Sequence, residues 1–218
     1  MSADHAAAGR RTFLGTLGAL AGLAIVRPRD AHATVVSRAG ADAAAQNGWD
    51  LTWLDALTGK HKQVFDFGAD LSKGSPTRVV RNYLNAHRDV YGLNPPQVNT
   101  VVGIARAQFP VNVGDAAWVK YKLGERWKVK DPKTNDWSQH NLFIDDVKEL
   151  QARGTLFWQC NNALAGISHD IADDMKVPFE TVRADIIASF NPGVRLVPAH
   201  TMALGLCQER GCTYESLV

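Results

Sequence analysis

Short apolar segments alternate with helix-like segments along most of this chain, and that alternation restricts the folds that it can adopt. Strand-like segments occupy residues 61–68, 98–105, 155–158 and 194–197. The second of them is almost continuously apolar, which is typical of a strand buried on both faces of a parallel sheet. Strands joined by helices form right-handed βαβ units. We therefore predict an α/β fold with a mainly parallel sheet and helices on both faces.

The predicted helices carry apolar residues at helical spacing between recognisable start and stop signals. Ser75 and Pro76 begin the first helix and Gly92 ends it. Further helices are predicted over 142–152, from 161, over 179–190 and over 198–211.

One stretch, residues 120–140, departs from the alternation, and we predict that it is an inserted hairpin or a long loop. It contains Trp127 and Trp137. One interpretation makes it a lid or an oligomer contact, and the other makes it a surface excursion held by its two tryptophans.

The first 33 residues have the three regions of an export signal in their usual order. Arg10 and Arg11 precede an apolar run over 15–26, and the small residues Ala31 and Ala33 flank His32. The run is about a dozen residues long, whereas a membrane helix needs about 20. We predict a twin-arginine signal peptide over 1–33, a linker over 34–48 and one domain over 49–218. The mature protein is then periplasmic or secreted, without a stable membrane span.

The composition is that of an ordinary globular protein, with 45% apolar and 21% charged residues. The 24 basic residues nearly balance the 22 acidic ones, so we expect no nucleic-acid partner. Haem-attachment, phosphate-loop and nucleophile-elbow motifs do not occur, and we predict no cofactor. The polar segment 169–174 matches no metal-ligand spacing, and we interpret it as a solvated helix start whose acidic residues lie near the positive end of the helix dipole.

Cys160 is the first candidate catalytic residue. It follows a predicted strand and precedes a predicted helix, at the sheet edge where parallel α/β proteins usually bind ligands. Backbone N–H groups and the helix dipole at such a position favour a thiolate. The alternative is that Cys160 is a small buried apolar residue, and its position alone leaves both interpretations open. His200, just after Pro198, is the second candidate because it lies near another strand end and can face the same crevice.

Three blocks of sequence carry a resemblance to a known family. They are GTLFWQCNNAL at 154–164, GVRLVPA at 193–199 and QERGCTY at 208–214. Their order and spacing resemble the DsrE/DsrF-like family over roughly residues 141–216. Residues 64–105 match that family only in their strand-helix-strand pattern, and the insertion at 120–140 departs from it.

The resemblance implies a three-layer α/β domain that assembles into trimers or hexamers. It also implies a sulfur carrier, or sulfurtransferase-like protein, that forms a persulfide on Cys160 without a metal. The partners would be a sulfane-sulfur donor and a thiol acceptor. The alternative is a non-catalytic periplasmic binding or oligomeric assembly module, in which Cys160 is structural and the insertion makes the contacts.

Cys207 and Cys212 lie on either side of the predicted end of the last helix. An exported protein can form disulfides, but helical geometry between residues five apart does not favour one. Two free, packed cysteines are the other interpretation, and the sequence leaves both open.

Overall fold

The computed structural model describes residues 45–218 of the chain. The predicted signal peptide at 1–33 and residues 34–44 of the predicted linker lie outside this part. Within 45–218, no helix has both the length and the apolar character that crossing a bilayer requires.

Five parallel strands form the central sheet, in the order β4-β3-β2-β1-β5. The strands are β1 (His61–Phe67), β2 (Val98–Ile104), β3 (Leu156–Cys160), β4 (Arg195–Val197) and β5 (Thr213–Leu217). Every pairing is parallel, which confirms the predicted α/β class and its parallel sheet.

Helices follow the strands along the chain. They are α1 (Thr77–Tyr91), α2 (Asp115–Lys120), α3 (Leu123–Arg126), α4 (Ile144–Ala152), α5 (Asn161–Met175), α6 (Phe179–Ala188) and α7 (His200–Glu209). Short 3₁₀ segments cover Thr52–Ala56, Leu71–Lys73 and Phe109–Asn112. Helix α1 ends at Gly92, whose φ of 68° is the left-handed conformation that glycine adopts without a Cβ clash.

The direction of the crossovers produces three layers. From β1 to β4 the chain adds each new strand on the same side of the previous one, so right-handed connections place α1, α4, α5 and α6 on one face. The chain then reverses to place β5 beside β1, and the connecting helix α7 covers the opposite face. The helices thus lie on both faces of the sheet, as predicted.

Alternating side chains along each strand supply the two cores. Phe65, Phe157 and Ile104 belong to the core under α1, α4, α5 and α6, which we call the α5 face. Val64 and Trp158, each next in sequence to one of those residues, pack under α7 and the 3₁₀ segment at 52–56, which we call the α7 face. Both faces of the sheet are therefore covered.

Two regions add detail that the sequence did not predict. Strand β5 was not predicted, and it lies at the edge of the sheet with side chains that are mostly exposed. The insertion contains helix α3 and a turn closed by a single antiparallel bridge between Lys130 and Trp137. Trp127 stacks on buried Phe109, whereas Trp137 is 39% exposed, so one tryptophan and not two anchors this segment.

Candidate functional site

Cys160 is the last residue of β3 and also caps the N-terminus of α5. Its Sγ accepts a hydrogen bond from the backbone N–H of Ala163 at 3.5 Å, and a second from the backbone N–H of His200 at 3.3 Å. The side chain is 5% exposed. The structure therefore brings the two predicted residues, Cys160 and His200, into direct contact.

The two N–H groups come from the first turns of two different helices. Ala163 lies in the first turn of α5, and His200 is the first residue of α7. The second helix reaches the sulfur because β4 pairs with β3 in a register that sets Val197 beside Cys160, three residues before α7 begins. Helix N-termini carry partial positive charge and unpaired N–H groups, and both stabilise an anion. The arrangement is chemically suited to a thiolate.

The His200 imidazole makes hydrogen bonds through both of its nitrogens. The Trp158 indole N–H donates to Nδ1 at 3.2 Å, and Nε2 lies 2.9 Å from Oδ1 of Asp66. Because Nδ1 accepts a hydrogen bond, the ring proton is on Nε2 and is donated to the carboxylate. The ring is thus fixed in orientation, and it is the backbone N–H of His200 that contacts the sulfur.

The residues that hold this ring form a row across the sheet. Asp66 of β1 pairs with Gly103 of β2, and Gly103 pairs with Trp158 of β3. A Cβ at Gly103 would overlap the Trp158 ring and lie 3.0 Å from Cε1 of His200. Glycine at position 103 therefore provides the space in which the indole and the imidazole meet.

Sequence reasoning missed three members of this network. Asp66, Trp158 and Tyr214 were not predicted as site residues, and the Tyr214 hydroxyl donates to Oδ2 of Asp66 at 2.9 Å. A usable signal existed for Trp158, since it stands two residues before Cys160 on one strand and must share its face. Asp66 also gave a signal, as the polar residue between two apolar ones near a strand end.

Cys207 and Cys212 are free and buried, and so is Cys160. Cys207 and Cys212 lie next to each other as free thiols and form no disulfide in the described part of the chain. The hydrogen bond from Cys207 lowers the pKa of Cys212, with smaller contributions from the positive charges of Lys62 and Arg210. The same contact, together with burial, raises the pKa of Cys207.

The segment 169–174 lies in the last turns of α5, which begins at Asn161, so the prediction that it starts a helix is wrong. Its His169 ring stacks on Phe179 with centroids 3.9 Å apart, and Asp170 and Asp174 pair with arginines. Within residues 45–218, no three His, Cys, Asp or Glu side chains converge as metal ligands would.

Comparison with known proteins assigns this chain to no family. No protein-family model matches the chain, and no curated protein matches it. Among solved structures the chain is similar to a protein of unknown function from Methanobacterium thermoautotrophicum, with 16% sequence identity and a TM-score of 0.37. That similarity covers 72% of this chain and 100% of the other.

Proposed function

We propose that this protein is a sulfur carrier that holds sulfane sulfur as a persulfide on Cys160. The observation that carries the proposal is the pair of N–H groups, from the first turns of α5 and α7, that donate to the Cys160 sulfur. The resemblance of residues 141–216 to the DsrE/DsrF-like family supports the same role.

The transfer step conserves atoms and electrons. The Cys160 thiolate attacks the outer sulfur of a donor persulfide, RS–SH, and forms the Cys160 persulfide while RS⁻ leaves with the electron pair of the broken S–S bond. An acceptor thiolate then attacks the outer sulfur, and the Cys160 thiolate is the leaving group. The two N–H groups stabilise the anion that begins the first step and ends the second.

The burial of Cys160 determines the size of the donor. Because only 5% of the residue is exposed, the donor in this proposal is a small sulfane-sulfur compound, and a folded partner could reach the sulfur only after a rearrangement. In this proposal His200 is a positioning residue. Its ring is fixed by Trp158 and Asp66, and this fixes the backbone N–H that points at the sulfur.

We further propose that the carrier works in the periplasm or outside the cell, as a trimer or hexamer. The location rests on the twin-arginine pattern of residues 10–33, and the oligomeric state rests on the family resemblance.

Mass spectrometry of the protein after exposure to inorganic polysulfide tests the proposal. The expected result is the addition of sulfur to the peptide that contains Cys160, and its removal by a small thiol. The addition must persist in a Cys207→Ser/Cys212→Ser variant and disappear in Cys160→Ser. An unmodified Cys160 in the folded protein, with Cys207 or Cys212 modified instead, would refute the carrier role.

The second candidate is a binding or assembly module in which Cys160 is a structural helix cap. The burial of Cys160 favours it, as do the exposed Trp137 and Val119, at 39% and 52%, on and beside the insertion. This candidate predicts that Cys160→Ser leaves oligomerisation unchanged, whereas Trp137→Ala weakens it in sedimentation experiments.

A further inference from the structure

An open cavity of about 700 Å³ lies at the carboxyl ends of β1 and β2, on the α5 side of the sheet. Ile167 and Ile171 of α5 lie beneath its floor and are almost fully buried in the core, and Trp127 of the insertion forms part of its wall. The volume lies within the range of small-molecule sites, and the carboxyl edge of a parallel sheet is where such sites usually occur. The cavity therefore has the size and location of a ligand site.

The aromatic wall of this cavity is fixed in place. The Trp127 indole N–H donates to the backbone carbonyl of Arg106 at 3.1 Å, and its ring stacks on Phe109 with centroids 5.8 Å apart. Trp127 remains half-buried, so part of the ring still faces the cavity. A ligand would therefore contact a rigid apolar surface, and its binding would cost little side-chain entropy at Trp127.

The charges that line the cavity are nearly balanced. Arg106 pairs with Asp170, and Arg126 pairs with Asp174 at 2.6 Å. Two lining charges of opposite sign remain, Asp70 and Lys128. Neither has an ion-pair partner within 4 Å in the described part of the chain, although the positive charges of Lys73 and Lys128 both lower the pKa of Asp70. The backbone N–H of Ser72 is the main cause that lowers the pKa of Asp70, so this group is a carboxylate at neutral pH. A strongly anionic ligand could pair only with Lys128, whereas a zwitterion could pair one of its charges with Lys128 and the other with Asp70.

We propose that this cavity binds a small zwitterion of the amino-acid type, with its carboxylate on Lys128, its ammonium group on Asp70 and an apolar side chain against the ring of Trp127. A free amino acid and a short peptide share this chemistry. Cys160 takes no part in the proposed contacts, so this inference stands or falls separately from the persulfide.

Titration calorimetry of the full chain with L-leucine and with L-leucyl-L-leucine tests the proposal. We expect at least one of the two compounds to bind. The compound with the higher affinity shows whether the natural ligand is an amino acid or a short peptide. N-acetyl-leucine lacks the ammonium group and leucinamide lacks the carboxylate, so each should bind roughly tenfold more weakly than leucine. If neither zwitterion binds, or if both blocked analogues bind as well as leucine, the proposal is wrong.

Substitutions at two exposed positions test which residue binds which charged group of the ligand. Lys128→Gln should weaken the binding of leucine roughly tenfold. It should leave the affinity for leucinamide unchanged, because leucinamide has no carboxylate that could contact residue 128. Asp70→Asn keeps an oxygen that accepts the hydrogen bond from the Ser72 N–H. It should weaken the binding of leucine but not that of N-acetyl-leucine, which has no ammonium group. Lys133→Gln, on an exposed turn of the same insertion, is the matched control and should change nothing. If each variant lost the same affinity for leucine and for both analogues, the assignment of Lys128 to the carboxylate and Asp70 to the ammonium group would be wrong.

Discussion

The two faces of the sheet use neighbouring residues for different purposes. On the α5 face, Phe65 and Phe157 are buried in a large apolar core. On the α7 face, the residues next to them in sequence are Asp66 and Trp158, which both hydrogen bond to His200. A shift of one residue along a strand moves a side chain to the opposite face, so the same strands provide both an apolar core and a polar network.

The position of Cys160 follows from this difference. Cys160 is on the α7 face because it is two residues from Trp158 on β3. Only the reversal of the sheet order brings α7 across that face, and with it the His200 N–H that donates to the sulfur. The α5 face supplies the larger apolar core, whereas the α7 face positions a thiol between two helix N-termini.

Gly103→Ala is the change that should disturb the α7 face most. The new Cβ overlaps the Trp158 ring and approaches His200, and overpacking of this kind costs about 2–3 kcal/mol. Urea unfolding measures the loss. The matched control is Gly205→Ala in α7, where a Cβ meets no atom within 4 Å and should stabilise the helix by up to about 1 kcal/mol. Equal effects of the two substitutions would contradict the packing described for Gly103.

His200→Ala should have the next largest effect. It removes the partners of the Trp158 indole N–H and of Asp66 Oδ1, and two lost buried contacts cost about 2 kcal/mol in unfolding free energy. His140→Ala, at a side chain that is 66% exposed, should change stability by less than about 0.5 kcal/mol. A His200→Ala protein as stable as the His140→Ala protein would show that the ring network does not support the α7 face.

The smallest expected effect is on the reactivity of Cys212. Because a hydrogen bond from Cys207 lowers the pKa of Cys212, the Cys212 thiolate should form at lower pH in the wild type than in Cys207→Ala. Alkylation by iodoacetamide, followed peptide by peptide against pH, should therefore shift to higher pH in Cys207→Ala. Cys207→Ser retains a hydroxyl donor and should keep most of the wild-type profile. Identical profiles in all three proteins would contradict the hydrogen bond.

The sequence predicted the fold well where strands are apolar and helices have clear ends. The segments at 61–68 and 98–105 lie on β1 and β2, and Gly92 ends α1 as expected. β5 escaped prediction because an edge strand with exposed, polar side chains has no apolar run to mark it. The same polarity hid Tyr214, which contributes a hydrogen bond to Asp66 from 148 residues away in sequence.

The candidate site was predictable only in part, for a similar reason. The positions of Cys160 and His200 after strand ends are local features of the sequence. Their contact depends on the register of β4 against β3, and the bond between His200 and Asp66 depends on the path of α7 across the sheet. Those are long-range features, and a single sequence carries no direct signal for them.

A crystal structure of the protein soaked in inorganic polysulfide tests the central claim most directly. We expect an additional sulfur atom bonded to Sγ of Cys160, with the N–H groups of Ala163 and His200 still directed at the persulfide. An unmodified Cys160 in crystals whose Cys212 has gained sulfur would contradict it, because the pair of helix N-termini would then have no role in holding the transferred atom.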